Sequence, residues 1–123
     1  MKLELRSIVA PGDLAKERLT LRALQDLDVG DYVVAQSGYA DDSPTTTFFH
    51  TIWFPYNPVQ KGDLVVVYTK EGTNRERVLD RGNKAHFFYL DLNEAIWDDP
   101  TKGALVLYAP TWESKSVDDL TRS

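Results

Sequence analysis

The chain has 123 residues, a formal net charge of −5 and no cysteine. That length suits one domain, residues 1–123, able to bury roughly two-thirds of the surface its unfolded chain exposes. The missing thiols exclude disulfides, thiolate nucleophiles and cysteine-based zinc or iron–sulfur sites, and the acidic balance argues against nucleic acid as a partner, because phosphate backbones attract basic patches.

Residues 2–9 alternate, with Leu3 and Leu5 pointing one way and Lys2, Glu4 and Arg6 the other, the period of a half-buried strand. This N-terminus has no apolar core of the kind a signal peptide carries. Apolar runs everywhere fall short of the ~20 residues a membrane helix needs. The expectation is a soluble protein, cytosolic by default, without a membrane partner. Ala10-Pro11-Gly12-Asp13 predicts a turn. Residues 17–23 alternate again, Leu19 and Leu21 inward, Arg18, Thr20 and Arg22 outward. A helix over residues 14–24 would mix apolar with polar residues on its stripe, so the strand is preferred.

Residues 25–31 read as a loop and 32–35 as a short strand. Residues 37–46, rich in Ser, Thr, Asp, Gly and Pro, predict a surface loop. Residues 47–54 form a strand that Pro55 and Pro58 end, since neither can donate to a ladder. Lys61-Gly62-Asp63 turns into 64–69, apolar on both faces and hence central in its sheet. Residues 70–84 predict a long hairpin tip, with 85–90 returning antiparallel. One helical turn is expected over 93–97, then a turn at 98–103 and a last core strand at 104–108. Residues 113–123 form a polar tail, frayed or briefly helical. Aromatic residues, 11% of the chain, favour pleated surfaces. About seven short strands with little helix make this an all-β domain, a sandwich or a barrel.

Four segments together resemble a lamin tail domain: Phe54-Pro55; Lys61-Gly62-Asp63-Leu64-Val65-Val66-Val67-Tyr68; Ile96-Trp97-Asp98-Asp99; and Gly103-Ala104-Leu105-Val106-Leu107. Leu27-Asp28-Val29-Gly30-Asp31-Tyr32 is similar to that family's Leu-Ser-Gly-Trp segment. The likeness covers residues 17–107. Tyr32 stands where the family usually has Trp, residues 98–103 replace its Asn-Asp-Gly turn, and Ala109-Pro110-Thr111-Trp112 replaces its closing Asp-x-x-Gly hairpin. The resemblance implies an immunoglobulin-like antiparallel β-sandwich that serves as an interaction module. Such modules accompany other domains in bacteria and bind partners in nuclear filaments. The family has no catalytic residues to carry over.

Chemistry is sparse. There is no Gly-x-Ser-x-Gly elbow and no Gly-rich phosphate loop, so no catalytic residue and no cofactor is assigned. His50 and His86 would share a metal or acid–base site only if their strands lay close and further ligands joined them. Otherwise they satisfy local hydrogen bonds. Asp41-Asp42 and Asp98-Asp99 offer carboxylates for Ca²⁺ but lack EF-hand spacing, and turn formation accounts for them equally well, as for Asp91, Asn93 and Glu94. Residues 70–84 hold five cations against three anions, a local surplus of two in an acidic chain. No aromatic is interleaved with them in sequence, which argues against base stacking there. Trp53, Tyr56, Trp97 and Trp112 are the candidate binding surface, with Tyr56 between Pro55 and Pro58 the best placed for exposure. The expected function is a non-enzymatic module that binds a protein partner or itself through a sheet edge or the aromatic rim. A carbohydrate-binding module using exposed Trp and Tyr is the alternative, and a small metal-dependent enzyme comes third.

Overall fold

The computed structural model describes residues 1–122; Ser123, the end of the predicted tail, lies outside them. Ten strands run in chain order: β1 (Leu3–Val9), β2 (Arg18–Ala23), β3 (Leu27–Asp28), β4 (Tyr32–Ala40), β5 (Ser43–Trp53), β6 (Pro58–Val59), β7 (Leu64–Tyr68), β8 (Arg75–Val78), β9 (Lys84–Tyr89) and β10 (Lys102–Tyr108). A 3₁₀ turn (Val29–Asp31) precedes β4, and one short helix, α1 (Val117–Thr121), lies in the tail. All seven expected strands are present, and the domain is all-β and sandwich-like.

The larger sheet has the order β1-β2-β7-β9-β8, the smaller β10-β4-β5, and β3 with β6 makes a two-stranded ribbon. Period-2 alternation turns one row of each strand inward. Leu19 and Leu21 of β2 and Val65 and Val67 of β7 meet Tyr32 and Val34 of β4, with Phe54 edge-on to Phe88 at 4.8 Å between centroids. Burying each such side chain contributes about 1.5–3 kcal/mol.

Three expectations need correcting. The apolar runs at 64–69 and 85–90 do not form an antiparallel hairpin: β7 and β9 are parallel neighbours. The chain leaves β7, comes back as β8 one place further out, and β9 fills the gap between them, antiparallel to β8. The turn of that hairpin closes through Leu79 N to Asn83 O (2.7 Å), with Gly82 at φ +87°. The expected last core strand is β10, which pairs with β4 in the smaller sheet. The polar stretch 37–46 is a hairpin, not a loop. Asp41 (φ +53°) and Asp42 (φ +58°) both take positive φ, as a type I′ turn requires, and Pro44 is tolerated because β5 is an edge strand. Residues 93–97 form bends, not a helical turn.

A buried carboxylate holds the end of the segment 93–97 in place. Glu17, 0% exposed, immediately precedes β2 and has the parity of its inward row, two residues before Leu19. Its two oxygens accept from Gly12 N (2.9 Å), Thr69 Oγ1, Ile96 N (2.9 Å) and Trp97 N (3.0 Å). Burial pushes this carboxyl's pKa up, yet these hydrogen bonds to the ionised form win and hold it below the ordinary range. One side chain thus ties the turn before β2, the end of β7 and the segment leading to β10.

Candidate functional site

Three of the four candidate aromatics come together on the surface. β5 carries Trp53 out opposite Val33. Pro55 then breaks the strand, and Tyr56 crosses the 3₁₀ turn. Gly30 of that turn permits the crossing: a Cβ there would lie 2.4 Å from the Tyr56 ring and 2.7 Å from its Cα. Asp28 Oδ1 accepts from both Gly30 N (2.9 Å) and Asn57 N (2.8 Å), which clamps the two segments. Trp53 Nε1 donates to Gly30 O at 2.7 Å, so the indole has a fixed orientation. Trp112 arrives from the tail, packs edge-on against Trp53 (4.9 Å, 77°) and donates from Nε1 to Tyr56 Oη at 3.2 Å. Trp53 (47%), Tyr56 (58%) and Trp112 (53%) remain open to solvent.

Trp97 is not part of this surface. It is 8% exposed, and it packs in the core because the Glu17 carboxylate pulls its backbone inward. Its indole nitrogen is buried without a hydrogen-bond partner among the described residues.

The aromatic cluster continues into an apolar sheet face. Register sets Leu107, Val33 and Trp53 in one row of the smaller sheet, and Leu105, Ala35 and Thr51 in the next. A bulge between Ala35 and Ser37 then brings Phe48, not Phe49, opposite Ser37. These rows lie on the side opposite Val34, Ile52, Ala104 and Val106, which point into the core; Ala35 and Ser37 are nonetheless buried, and Trp53, Phe48 and Leu107 are the large apolar side chains left exposed.

The histidines have separate fates. His50 is partly exposed on β5. His86 is buried on β9, 2.9 Å from Asp63 through Nε2. Asp63 also accepts from Lys84 N (3.0 Å), Gln60 N (3.1 Å) and Asn83 Nδ2 (3.4 Å). Burial raises its pKa, but the bonds from Lys84, His86, Gln60 and Asn83 outweigh this and leave it below the usual carboxylate range. An ionised carboxylate only accepts, so His86 Nε2 bears the hydrogen. Nδ1 faces the Asn57 amide at 3.5 Å and Glu76 at 3.6 Å. The partner carboxylate came from the turn before a neighbouring strand, where inspection of the histidine's own strand could not find it. Among the described residues, no group of three or more His, Asp and Glu is arranged to hold a metal ion.

The loop carboxylates make turns. Asp99 accepts from Thr101 through both its hydroxyl (2.6 Å) and its amide (2.9 Å), and these bonds hold its pKa down. Asp91, at φ +57°, accepts from Gly72 N (3.1 Å).

No aromatic is interleaved with the cations of 70–84 in sequence, but the fold brings rings to them. Arg75 lies 4.3 Å and Arg77 5.6 Å from the centre of the Phe87 ring, and Lys70 4.8 Å from that of Tyr68. Sequence separation hid this, because the rings belong to strands on either side of the loop. No family model matches the chain, and no curated protein is found similar to it.

Proposed function

We propose that this chain is a lamin-tail-like, non-enzymatic β-sandwich module that binds a protein partner or a second copy of itself through Trp53, Tyr56 and Trp112. One observation carries this reading: three large, half-exposed aromatic side chains are locked to one another and to the Gly30 backbone before any partner arrives. Exposed aromatics held in place lose little conformational freedom on binding, which is where hot spots gain their affinity. The adjoining apolar rows extend the surface beyond the cluster.

Light scattering on a sizing column tests self-association, and a pull-down tests a heterologous partner. The expected result is a dimer, or a captured protein, that Trp53→Ala/Trp112→Ala loses while its circular-dichroism spectrum is retained. A monomer at every concentration, with nothing captured that the double variant fails to capture, overturns the reading. The open indole and phenol faces also suit sugar rings, the second reading. A glycan array showing binding abolished by Tyr56→Ala and Trp112→Ala would replace the first reading with it.

A further inference from the structure

The outer face of the larger sheet has a different chemistry. Register sets Arg18, Tyr68 and Tyr89 in one row, Thr20, Val66, Phe87 and Arg75 in the next, and Arg22, Leu64, Ala85 and Arg77 in the third. The opposite row of these strands fills the core, so every residue of the three rows points outward. Each row therefore carries at least one arginine, and Lys70 adds a further cation just past the end of β7.

The aromatic rings form a stripe along β7 and β9. Tyr68 and Tyr89 are nearly parallel, 13° apart with centroids at 5.5 Å, and Tyr68 and Phe87 stack at 24° and 6.2 Å. Cations lie over this stripe: Arg18 at 5.7 Å and Lys70 at 4.8 Å from Tyr68, Arg75 at 4.3 Å from Phe87. None of these cations, nor Arg22 or Arg77, is in an ion pair among the described residues. The acidic groups nearest by register are otherwise engaged: Glu4, opposite Arg22, is held by Arg6 at 2.9 Å, and Glu76 turns to the other side of β8, where it meets Lys84 at 3.0 Å. Val66, Ala85 and Phe87 are buried beneath this layer, and the Gly72 backbone lies against the Tyr89 ring, so Tyr68 and the guanidiniums are what the face presents. In a chain of net charge −5, five cations outside any ion pair among the described residues, on the outer face of one sheet, are a strong local reversal.

We propose that this face binds single-stranded nucleic acid, with the arginines and Lys70 on phosphates and Tyr68 and the ring-stacked guanidiniums against bases, Tyr89 backing Tyr68 from beneath the Gly72 backbone. Cations answer the backbone, and stacked rings answer any base, since every base has a π-face. An acidic peptide would use the charges but leave the rings without a role. A duplex fits poorly, because its major groove admits a helix or a two-stranded ribbon and this sheet is five strands wide.

Fluorescence anisotropy of a labelled oligothymidylate of roughly 16 nucleotides, titrated with the full chain, tests this. Engagement of four phosphates predicts an affinity loss of about 50-fold between roughly 50 and 200 mM salt. Arg75→Gln/Arg77→Gln should weaken binding at least tenfold and flatten the salt slope. Tyr68→Leu should weaken it with the slope unchanged, which separates stacking from charge. Trp53→Ala/Trp112→Ala should bind normally, so failure of this proposal is distinguishable from failure of the proposed function. The proposal is overturned by no anisotropy change at low salt, by equal binding of the arginine double variant, or by polyglutamate competing as well as the oligonucleotide with Tyr68→Leu silent. The last outcome would make the partner an acidic peptide.

Discussion

The outer faces of the two sheets carry similar apolar and aromatic side chains and treat water differently. On the larger sheet, arginine and lysine stems lie across the rings, and Phe87 is left only 6% exposed. On the smaller sheet no cation among the described residues lies over Trp53 or Phe48 (44%), and Leu107 (37%) is likewise exposed. A long cationic side chain can shield apolar surface while its head stays hydrated. The covered face presents charge outward, whereas the uncovered one presents hydrocarbon, which an apolar partner can bury. The two faces of one sandwich are thus suited to chemically different partners.

The largest expected effect would break the comparison by dissolving both faces at once. Glu17 ties the turn before β2, the end of β7 and the segment that leads to β10, so it links the larger sheet to the chain entering the smaller one. Glu17→Ala leaves four donors without their acceptor, those of Thr69 and Trp97 buried, and should cost about 3 kcal/mol. Urea denaturation followed by tryptophan fluorescence and by circular dichroism should show one shared transition at lower urea. A loss under about 1 kcal/mol would mean that the sheets hold together without this carboxylate.

Acid should act through the same groups. Glu17 and Asp63 both have folded pKa values below their unfolded ones, so their stabilisation is complete above the ordinary carboxyl pKa of about 4 and is lost as the pH falls through the folded values. The urea midpoint should therefore fall steeply below pH ~4. Glu17→Gln should be less stable at neutral pH and show a shallower acid limb. An unchanged slope would assign the acid sensitivity to other groups.

Both carboxylates were legible in part. Glu17 has the parity of Leu19 and Leu21, and Asp63 that of Val65 and Val67, so each begins a row that turns inward. A charged residue at the head of a buried row signals a pinned strand end. What each carboxylate would bind could not be read, because Ile96, Trp97 and His86 lie far along the chain. The strand rows themselves were readable, since alternation is local. Strand β8, Arg-Glu-Arg-Val, was not: an edge strand exposed along its whole length has no buried row to reveal it. Without β8, the charged stretch read as a hairpin tip and the parallel pairing of β7 with β9 was invisible. Trp97 was misplaced for a similar reason, because composition says that a Trp is large and apolar but not which side of a turn it occupies.

Smaller substitutions sharpen the contrast between the faces. Trp53→Ala removes an edge-on aromatic pair and a hydrogen bond to Gly30, and should cost about 1–2 kcal/mol. Arg75→Ser/Arg77→Ser should cost about 1 kcal/mol, and it should raise binding of a hydrophobic dye by uncovering Phe87. Dye binding that stays flat would show that neighbouring strands, not the arginines, cover that ring.

The smallest expected effect concerns a cation that covers a ring on the smaller sheet. Lys102 Nζ lies 3.9 Å from the centre of the Phe49 ring, beside the bulge that separates Phe49 from Phe48. Its only ion-pair neighbour among the described residues, Asp99, is 3.8 Å away at a solvent-exposed site, where charge pairs contribute little. If the ring is the true partner, a double-mutant cycle of Lys102→Met with Phe49→Leu should give a coupling of about 0.5–1 kcal/mol. That coupling should survive Asp99→Asn. A coupling near zero would leave Phe49 as bare as Phe48, and would confine cation cover to the larger sheet altogether.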